Sequence, residues 1–234
     1  MIYLIHFRND IRQIVRDPIM VILLFVPFLL ILVFKLLIIF LIPELIARFN
    51  FDLSPYYAYI LSFALLINAG MLGIITGFLM IDERDGNIAE LMSVTPLGRF
   101  GYLVNRLSFS AMVSVVYSFI TLYVLAQGRV NFITAVYLSL LMAIYSAIIG
   151  LILFSGADDK VKGLTFAKGL NILSFFAFTD LFSLSWLTTL SWFFPPYWIT
   201  AILKSPGSGV VFGMAFLLHI VWFAILVARY WKKG

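Results

Sequence analysis

The chain has 234 residues, of which 63% are hydrophobic and only 12% are charged, and its formal net charge is +5. Soluble domains carry about 25% charged residues, so this composition excludes water as the main solvent and predicts an all-α integral membrane protein. The apolar runs are long and continuous, unlike the alternating strands of about ten residues in membrane barrels. The absence of cysteine excludes a disulfide framework, a thiolate metal site and a cysteine nucleophile.

Residues 3–17 predict an amphipathic helix before the first membrane span. Its apolar face holds Leu4, Phe7, Ile11, Ile14 and Val15. Its basic face, at four-residue intervals, holds Arg8, Arg12 and Arg16. Such a helix can lie in the headgroup layer, with a solvated basic leader as the alternative. We do not expect a cleaved signal peptide, because the following apolar run is too long and no small-residue cleavage site ends it.

Six membrane spans are predicted from the apolar runs, each near the roughly 20 residues needed to cross a bilayer. Their ranges are 19–42, 56–81, 107–127, 132–154, 164–186 and 210–229. The second span is rich in small residues that permit close helix packing. These residues are Ala64, Ala69, Gly70, Gly73 and Gly77. We expect one transmembrane domain, with no soluble domain and no internal repeat.

The distribution of Lys and Arg predicts that both termini are cytoplasmic. With the N-terminus inside, twelve of the sixteen basic residues fall in inner segments, as the positive-inside rule requires. The others are Arg48, Arg129 and Lys204 outside and Lys35 within the first span. The basic balance is therefore a topology signal, and we expect no nucleic-acid site.

Residues 187–209 form an unusual outer connection. They are too short and too rich in proline for two more spans, yet too aromatic for an ordinary loop. Its marker residues are Phe193, Phe194, Pro195, Pro196 and Trp198. Helical hairpins that re-enter the outer leaflet would explain both facts, since irregular backbone at membrane depth must be buried in protein. An aromatic belt at the interface explains them equally well.

Catalytic signatures are missing from the sequence. It contains no G-x-x-x-x-G-K-[ST] phosphate loop, no H-E-x-x-H and no G-x-S-x-G, so we assign no catalytic residue and no metal site. Lys35 and Asp180 are ionisable residues within spans, and both lie roughly 24 Å from the inner face. They can form an ion pair, within a subunit or across a dimer, or each can reach the outer surface separately. We expect His219 to be a packing residue rather than a metal ligand.

The polar stretch 82–106 interrupts the apolar runs after the second span. Within it, Ile88, Leu91 and Met92 fall on one face of a short helix beside Glu90, and Gly86 and Pro96 bound that helix. Three apolar side chains without a core of their own suit a groove on a partner protein. The alternative is a helix that lies flat on the lipid surface.

These segments resemble the transmembrane subunit of ABC-2 type (type II, ABCG-like) exporters. The matching sequences are FRNDIRQIVRDP at 7–18, DERDGNIAELMSVTPL at 82–97 and WFFPPYW at 192–198. The resemblance covers the whole chain in layout, but only the 82–97 segment is moderately specific in its residues. It implies a connecting helix before span one, a cytoplasmic coupling helix at 86–96, and re-entrant helices between spans five and six.

The resemblance also implies partners and function. A dimer of permeases, identical or related, would dock on two separate ATP-binding subunits, which would hold ATP and Mg, so that this chain itself has no cofactor. The coupling helix, through the acidic, Gly, Leu and Pro pattern, would contact the ATPase. Its residues are Glu83, Gly86, Ile88, Glu90, Leu91, Met92 and Pro96. The complex would export an amphipathic or hydrophobic peptide or drug across a prokaryotic plasma membrane by alternating access.

Two other functions compete with this interpretation. A six-span channel or membrane scaffold would use residues 82–106 only to bind lipid or an unrelated partner. An intramembrane enzyme would need several polar groups at one depth, which Lys35 and Asp180 alone do not supply.

Overall fold

The computed structural model describes residues 11–88, 91 and 98–233, and helices account for nearly all of them. In chain order the α-helices are α1 (11–16), α2 (Pro18–Leu36), α3 (Ile42–Phe49), α4 (Tyr57–Asp85), α5 (Gly98–Leu125), α6 (Phe132–Gly156), α7 (Lys160–Leu170), α8 (Ser185–Ser191), α9 (Pro195–Lys204) and α10 (Gly209–Lys233). A π-helical turn, Leu37–Leu41, joins α2 to α3, a 3-10 turn, Ser54–Tyr56, precedes α4, and a 3-10 helix, Asn171–Phe182, continues α7. The predicted all-α class is confirmed for this part of the chain.

Five helical segments within the described ranges are long and apolar enough to cross a membrane. They are Pro18–Phe49, Ser54–Asp85, Gly98–Leu125, Phe132–Gly156 and Gly209–Lys232. They coincide with predicted spans one to four and six, so the protein is a membrane protein. The predicted fifth span, 164–186, contains α7 and the 3-10 helix instead of one uniform α-helix. The 3-10 helix ends at Phe182, and the next residue, Ser183, has a φ of 53°.

Two helices extend beyond the limits that hydropathy predicts. Helix α4 continues to Asp85 instead of ending at residue 81, and α5 begins at Gly98 instead of at residue 107. The added turns carry Glu83 and Arg106, which are buried against each other. Hydropathy locates the apolar centre of a helix, whereas paired charges let the helix continue past it.

Helix α4 lies at the centre of the molecule. In its most apolar stretch 89% of the residues are buried, against 11% for the segment that contains α2 and 17% for α10. It packs closely on α6, where a Cβ atom at Gly73 would overlap the carbonyl oxygen of Ser146 and one at Gly150 would lie 3.0 Å from the carbonyl oxygen of Gly73. The small residues predicted to permit close packing do so here.

The two ends of α4 are polar and differ in their surroundings. At the Asp82 end, α2 begins at Pro18 with Asp17 as its N-cap, and the Asp17 carboxylate accepts a 2.8 Å hydrogen bond from the amide of Ile19. At the Tyr59 end, α4 meets the 3-10 helix and α9. Each end therefore holds a lysine that bonds to α4: Lys160 at the Asp82 end and Lys204 at the Tyr59 end.

Candidate functional site

Three consecutive charged residues at the end of α4 each bind a different segment of the chain. Asp82 binds Lys160 at the start of α7, Glu83 binds Arg106 in α5, and Arg84 binds the loop after α6. We call this cluster the polar junction. Its members are Asp17, Asp82, Glu83, Arg84, Tyr102, Arg106 and Lys160.

Lys160 joins α4 to the start of α2. Its Nζ lies 2.7 Å from Oδ2 of Asp82 and also donates to Oδ2 of Asp17. Burial alone would raise the pKa of Asp17, but its hydrogen bonds with Lys160 and the Ile19 amide lower it below the usual 3.8. Burial would lower the pKa of Lys160, but the hydrogen bonds to Asp17 and Asp82 raise it above 10.5. Asp17 and Lys160 are therefore both charged at neutral pH.

Glu83 and Arg106 form a buried ion pair inside the helix bundle. Glu83 is 1% exposed and Arg106 4% exposed, and a guanidinium nitrogen of Arg106 contacts Oε1 of Glu83. The Tyr102 hydroxyl donates a 2.8 Å hydrogen bond to Oε2 of the same carboxylate. The sequence placed Glu83 among residues that touch a partner, but its side chain faces the interior. We therefore assign it to the polar junction.

Arg84 fixes the loop between α6 and α7. One of its terminal nitrogens donates to the carbonyl oxygens of Ala157 at 2.9 Å and Asp158 at 2.6 Å. Its guanidinium carbon lies 5.0 Å from the centre of the Phe154 ring. The end of α4 is therefore bonded to this loop and to α5, and through Lys160 it is linked to the start of α2.

The segment that follows α4 carries exposed apolar side chains. Gly86 ends α4, Ile88 is 37% exposed and Leu91 is 65% exposed. Ile88 also lines a cleft of about 390 Å³ beside residues of α1 and the polar junction. The other predicted contact residues, Glu90, Met92 and Pro96, lie outside the described residues.

The predicted connecting helix is described from residue 11 onward, and its predicted members Phe7 and Arg8 lie outside that range. Ile14 is fully buried, whereas Ile11, Arg12 and Arg16 are exposed. Arg16 lines the same 390 Å³ cleft as Ile88. Helix α1 is thus brought next to the start of the predicted coupling segment.

The structure gives Lys35 and Asp180 different partners within the subunit. Nζ of Lys35 donates a 2.9 Å hydrogen bond to the carbonyl oxygen of Val124 in α5. Asp180 forms an ion pair with Lys204, whose Nζ lies 2.5 Å from Oδ2. Lys204 was expected to be only an outer basic residue, and its role as the partner of Asp180 was not predicted.

The aromatic outer segment folds into α8, a turn at 192–194, and α9. The Phe194 ring stacks on Phe176 at a centroid distance of 3.9 Å, and the carbonyl oxygen of Phe193 accepts a 2.8 Å hydrogen bond from the Trp222 indole. Pro195 and Pro196 are buried in the first turn of α9, where proline is favoured. The Trp198 indole donates a 2.8 Å hydrogen bond to the carbonyl oxygen of Trp192.

A second cleft, of about 290 Å³, lies at the Tyr59 end of the molecule. We call it the outer cleft, after the orientation that the sequence predicts. The residues that line it are Asp180, Trp192, Tyr197, Trp198, Thr200, Ala201, Lys204, Ser205 and Val211. Lys204 also donates a 2.8 Å hydrogen bond to the Tyr59 hydroxyl. Burial alone would lower the pKa of Lys204, but its bonds with Asp180 and Tyr59 raise it above 10.5.

His219 is buried in α10, as expected of a packing residue. Its Nδ1 lies 2.7 Å from the carbonyl oxygen of Ala215, and its ring packs edge-on against Tyr145 with centroids 6.5 Å apart. Among the residues that the structure describes, no three His, Asp or Glu side chains are grouped as metal ligands would be.

Comparison with known proteins gives matches that are all named as export permeases. Residues 10–230 match the family model described as fluoroquinolones export permease protein Rv2686c-like. Two curated proteins of Mycobacterium tuberculosis are each 27% identical over 241 residues, and the match covers 97% of this chain and 92% of each relative. They are the fluoroquinolones export permease proteins MT2760, of strain CDC 1551 / Oshkosh, and Rv2686c, of strain ATCC 25618 / H37Rv. No solved structure matches the chain.

Proposed function

The chain belongs to the Rv2686c-like family of fluoroquinolones export permeases, and from this premise we propose that it is the transmembrane subunit of an ATP-driven exporter. A separate ATPase subunit would bind ATP and Mg and push on residues 86–96. The permease name and the membrane helices agree with the resemblance to ABC-2 type permeases. ATP-driven coupling is our inference from that resemblance, and the contacts of the polar junction support it.

The observation that carries the proposal is the direct connection between an exposed apolar segment and the polar junction. Ile88 and Leu91 are exposed on the segment that leaves α4. Only a few residues earlier, Asp82, Glu83 and Arg84 hold the start of α2, α5 and the loop before α7. A force applied to residues 88–91 would therefore reach several membrane helices at once. A scaffold or channel that binds only lipid through this segment would not need such a connection.

Residues 164–182, in the predicted fifth span, are long enough to be a membrane span in addition to the five long helical segments. Residues 164–170 are α-helical and residues 171–182 are 3-10 helical. At rises of about 1.5 and 2.0 Å per residue, they extend roughly 35 Å, enough for a bilayer core of about 30 Å. We propose six spans with the N- and C-termini in the cytoplasm, in agreement with the distribution of basic residues.

A re-entrant hairpin at 187–209 is supported by the contacts of its turn. Phe193 and Phe194 meet Trp222, which lies thirteen residues into α10, or about 20 Å from its start. Phe194 also stacks on Phe176, near the middle of the 3-10 helix. The chain then returns through α9 to Lys204, which meets Tyr59 at the end of α4. These contacts favour the hairpin over an aromatic belt at the surface.

A permease dimer is supported by the apolar faces that the subunit leaves uncovered. Only 11% of the most apolar stretch of the Pro18–Phe49 segment is buried, and Ile22, Phe25 and Phe28 are exposed along it. Such faces suit lipid, a second permease, or both. We propose that a second copy or a related permease covers part of α2.

We propose a drug-like cargo for this exporter. The sequence left open an amphipathic peptide or a drug, and both relatives are named for export of fluoroquinolones. A small amphipathic drug is therefore the cargo that we would test first.

The decisive experiment substitutes residues of the exposed segment and leaves every residue of the polar junction in place. In vesicles that contain the permease and its co-purified ATPase, Leu91→Asp and Ile88→Asp should abolish ATP-dependent drug export, because a buried charge opposes docking in an apolar groove. Val161→Asp, at an exposed apolar position at the start of α7, provides the matched control. Export that persists in both variants, or that never requires an ATPase, would support the uncoupled channel instead.

A further inference from the structure

The outer cleft combines flat aromatic walls with one acidic and one basic side chain. Its volume is about 290 Å³, and Trp192, Tyr197 and Trp198 line it together with Asp180 and Lys204. The Trp198 indole is fixed by its bond to the Trp192 carbonyl oxygen, and it meets Tyr197 edge-on at a centroid distance of 5.5 Å. Fixed aromatic rings bind flat ligands at a low cost in side-chain entropy.

The two charged groups of the outer cleft retain hydrogen-bonding capacity. The Lys204 ammonium has three donors, and it uses two of them, on Oδ2 of Asp180 at 2.5 Å and on the Tyr59 hydroxyl at 2.8 Å. Oδ1 of Asp180 is buried and receives no hydrogen bond from any residue in the described ranges. Buried acceptors are nearly always bonded, so this carboxylate can take a further donor.

The partly exposed ion pair in the outer cleft favours a ligand that carries both charges. A cargo with a single charge would compete for one partner and separate it from the other, so that one charge of the pair would lose its partner. A cargo with both an anionic and a cationic group can replace both halves of the pair. The volume is close to the lower limit of about 300 Å³ for small-molecule pockets, so it fits a compact ring system better than a peptide.

We propose that the outer cleft is a cargo-binding site on the exit side of the permease, specific for compact aromatic zwitterions. The cargo carboxylate binds Lys204, its amine binds Asp180, and its ring system lies against Trp192 and Trp198. This inference rests on the proposed export function, because it takes the Tyr59 end to be the outer end. It specifies which cargo chemistry the permease accepts.

The test measures binding to the purified full-length chain without an ATPase. The probe is a fluoroquinolone with a free carboxyl and a free secondary amine, and the readout is equilibrium dialysis with quenching of tryptophan fluorescence. Lys204→Met and Asp180→Asn should each raise the Kd of this probe by about tenfold or more, as expected for the loss of a charge-assisted hydrogen bond. Lys162→Met, an exposed lysine at the opposite end of the molecule, is the matched control and should leave the Kd unchanged.

Modified probes separate recognition from a structural role. The methyl ester of the probe removes the anion and the N-acetyl form removes the cation. The ester should bind the unmodified protein about tenfold more weakly, yet Lys204→Met should weaken its binding no further. The N-acetyl form should show the same relation with Asp180→Asn. Equal losses for all three probes in each variant, or no loss in any, would overturn the inference.

Failure of this inference is distinguishable from failure of the proposed function. If binding is insensitive to Lys204 and Asp180 while ATP-dependent export continues, the cleft is not the cargo site but the exporter proposal stands. If export never depends on ATP, the exporter proposal fails whatever the dialysis result.

Discussion

Two lysines at opposite ends of α4 have similar partners and different surroundings. Lys160 lies between Asp17 and Asp82, and Lys204 lies between Asp180 and Tyr59. Around Lys160, the neighbouring residues Glu83 and Arg84 also bind separate segments. Around Lys204, aromatic side chains border a cleft. The contacts of Lys160 therefore hold separate segments together at one end of α4. At the other end, the contacts of Lys204 lie beside a cleft that can hold a ligand.

The difference assigns separate roles to the two ends. Residues far apart in sequence meet in the polar junction, including Asp17 and Lys160, so any movement there is shared by several helices. The outer cleft is formed by the 3-10 helix, α9 and the start of α10, and its ion pair is partly exposed. We expect substitutions in the polar junction to affect stability and coupling, and substitutions in the outer cleft to affect cargo binding.

The largest effect on stability is expected at the buried ion pair. Arg106→Met should lower the free energy of unfolding by about 3–5 kcal/mol, because it removes one charge of a buried ion pair. Lys204→Met, in the partly exposed pair, should cost less than about 1 kcal/mol. Reversible thermal or denaturant unfolding in one detergent compares them, and the double variant Glu83→Gln/Arg106→Met should recover part of the loss. Equal losses for the two single variants would contradict the distinction between the ends.

A smaller loss of stability is expected from a substitution in the middle of α4, where it packs on α6. Gly73→Ala should destabilise by about 1–3 kcal/mol, because the added Cβ would overlap the Ser146 carbonyl oxygen. Gly213→Ala is the matched control, since a Cβ at that position of α10 meets nothing within 4 Å. It should be neutral or stabilise by up to about 1 kcal/mol through helix propensity. The same unfolding assay checks both, and destabilisation by Gly213→Ala alone would contradict the packing described here.

The smallest effect is a pH-dependent attachment of α1 to α4. Asp17 has a lowered pKa, so its contribution is present above about 3.8 and is lost as the pH falls through the lowered value. Lys160 has a raised pKa, so its contribution is complete below about 10.5 and is lost as the pH rises through the raised value. Spin labels at Val15→Cys and Val161→Cys, in a chain with no native cysteine, should give one narrow distance distribution throughout neutral pH.

The Lys160→Gln variant should broaden that distribution at every pH. Lys162→Gln is the control, because Lys162 binds the exposed Asp158, four residues before it in the chain, rather than a distant segment. A distribution that stays narrow in Lys160→Gln would show that the Ile14 contact alone holds α1.

The sequence was sufficient to predict the helical class and the apolar centre of each long helix, because hydropathy and length report directly on membrane burial. The close packing at Gly73 also followed from residue size. Hydropathy could not locate the true ends of α4 and α5, because these turns carry Glu83 and Arg106, whose charges cancel only in three dimensions.

The residues of the candidate sites were harder to predict from the sequence than the fold. The exposed Ile88 and Leu91 could be recognised from their spacing beside Gly86, since a short amphipathic helix needs only local residues. The partners of Asp180 and Lys160 could not, because they come from segments distant in sequence. A signal for Lys204 did exist, as a basic residue at the end of an aromatic helix, but nothing local connected it to Asp180.

The most direct test of the central claim asks which molecule residue 91 touches in the intact cell. A photoreactive cross-linker on Leu91→Cys, in cells that express the permease in its native context, should form an adduct with a protein that contains a G-x-x-x-x-G-K-[ST] phosphate loop. The same cross-linker on Tyr123→Cys should not. An adduct only with lipid from position 91, in a permease that still exports drug, would contradict the account.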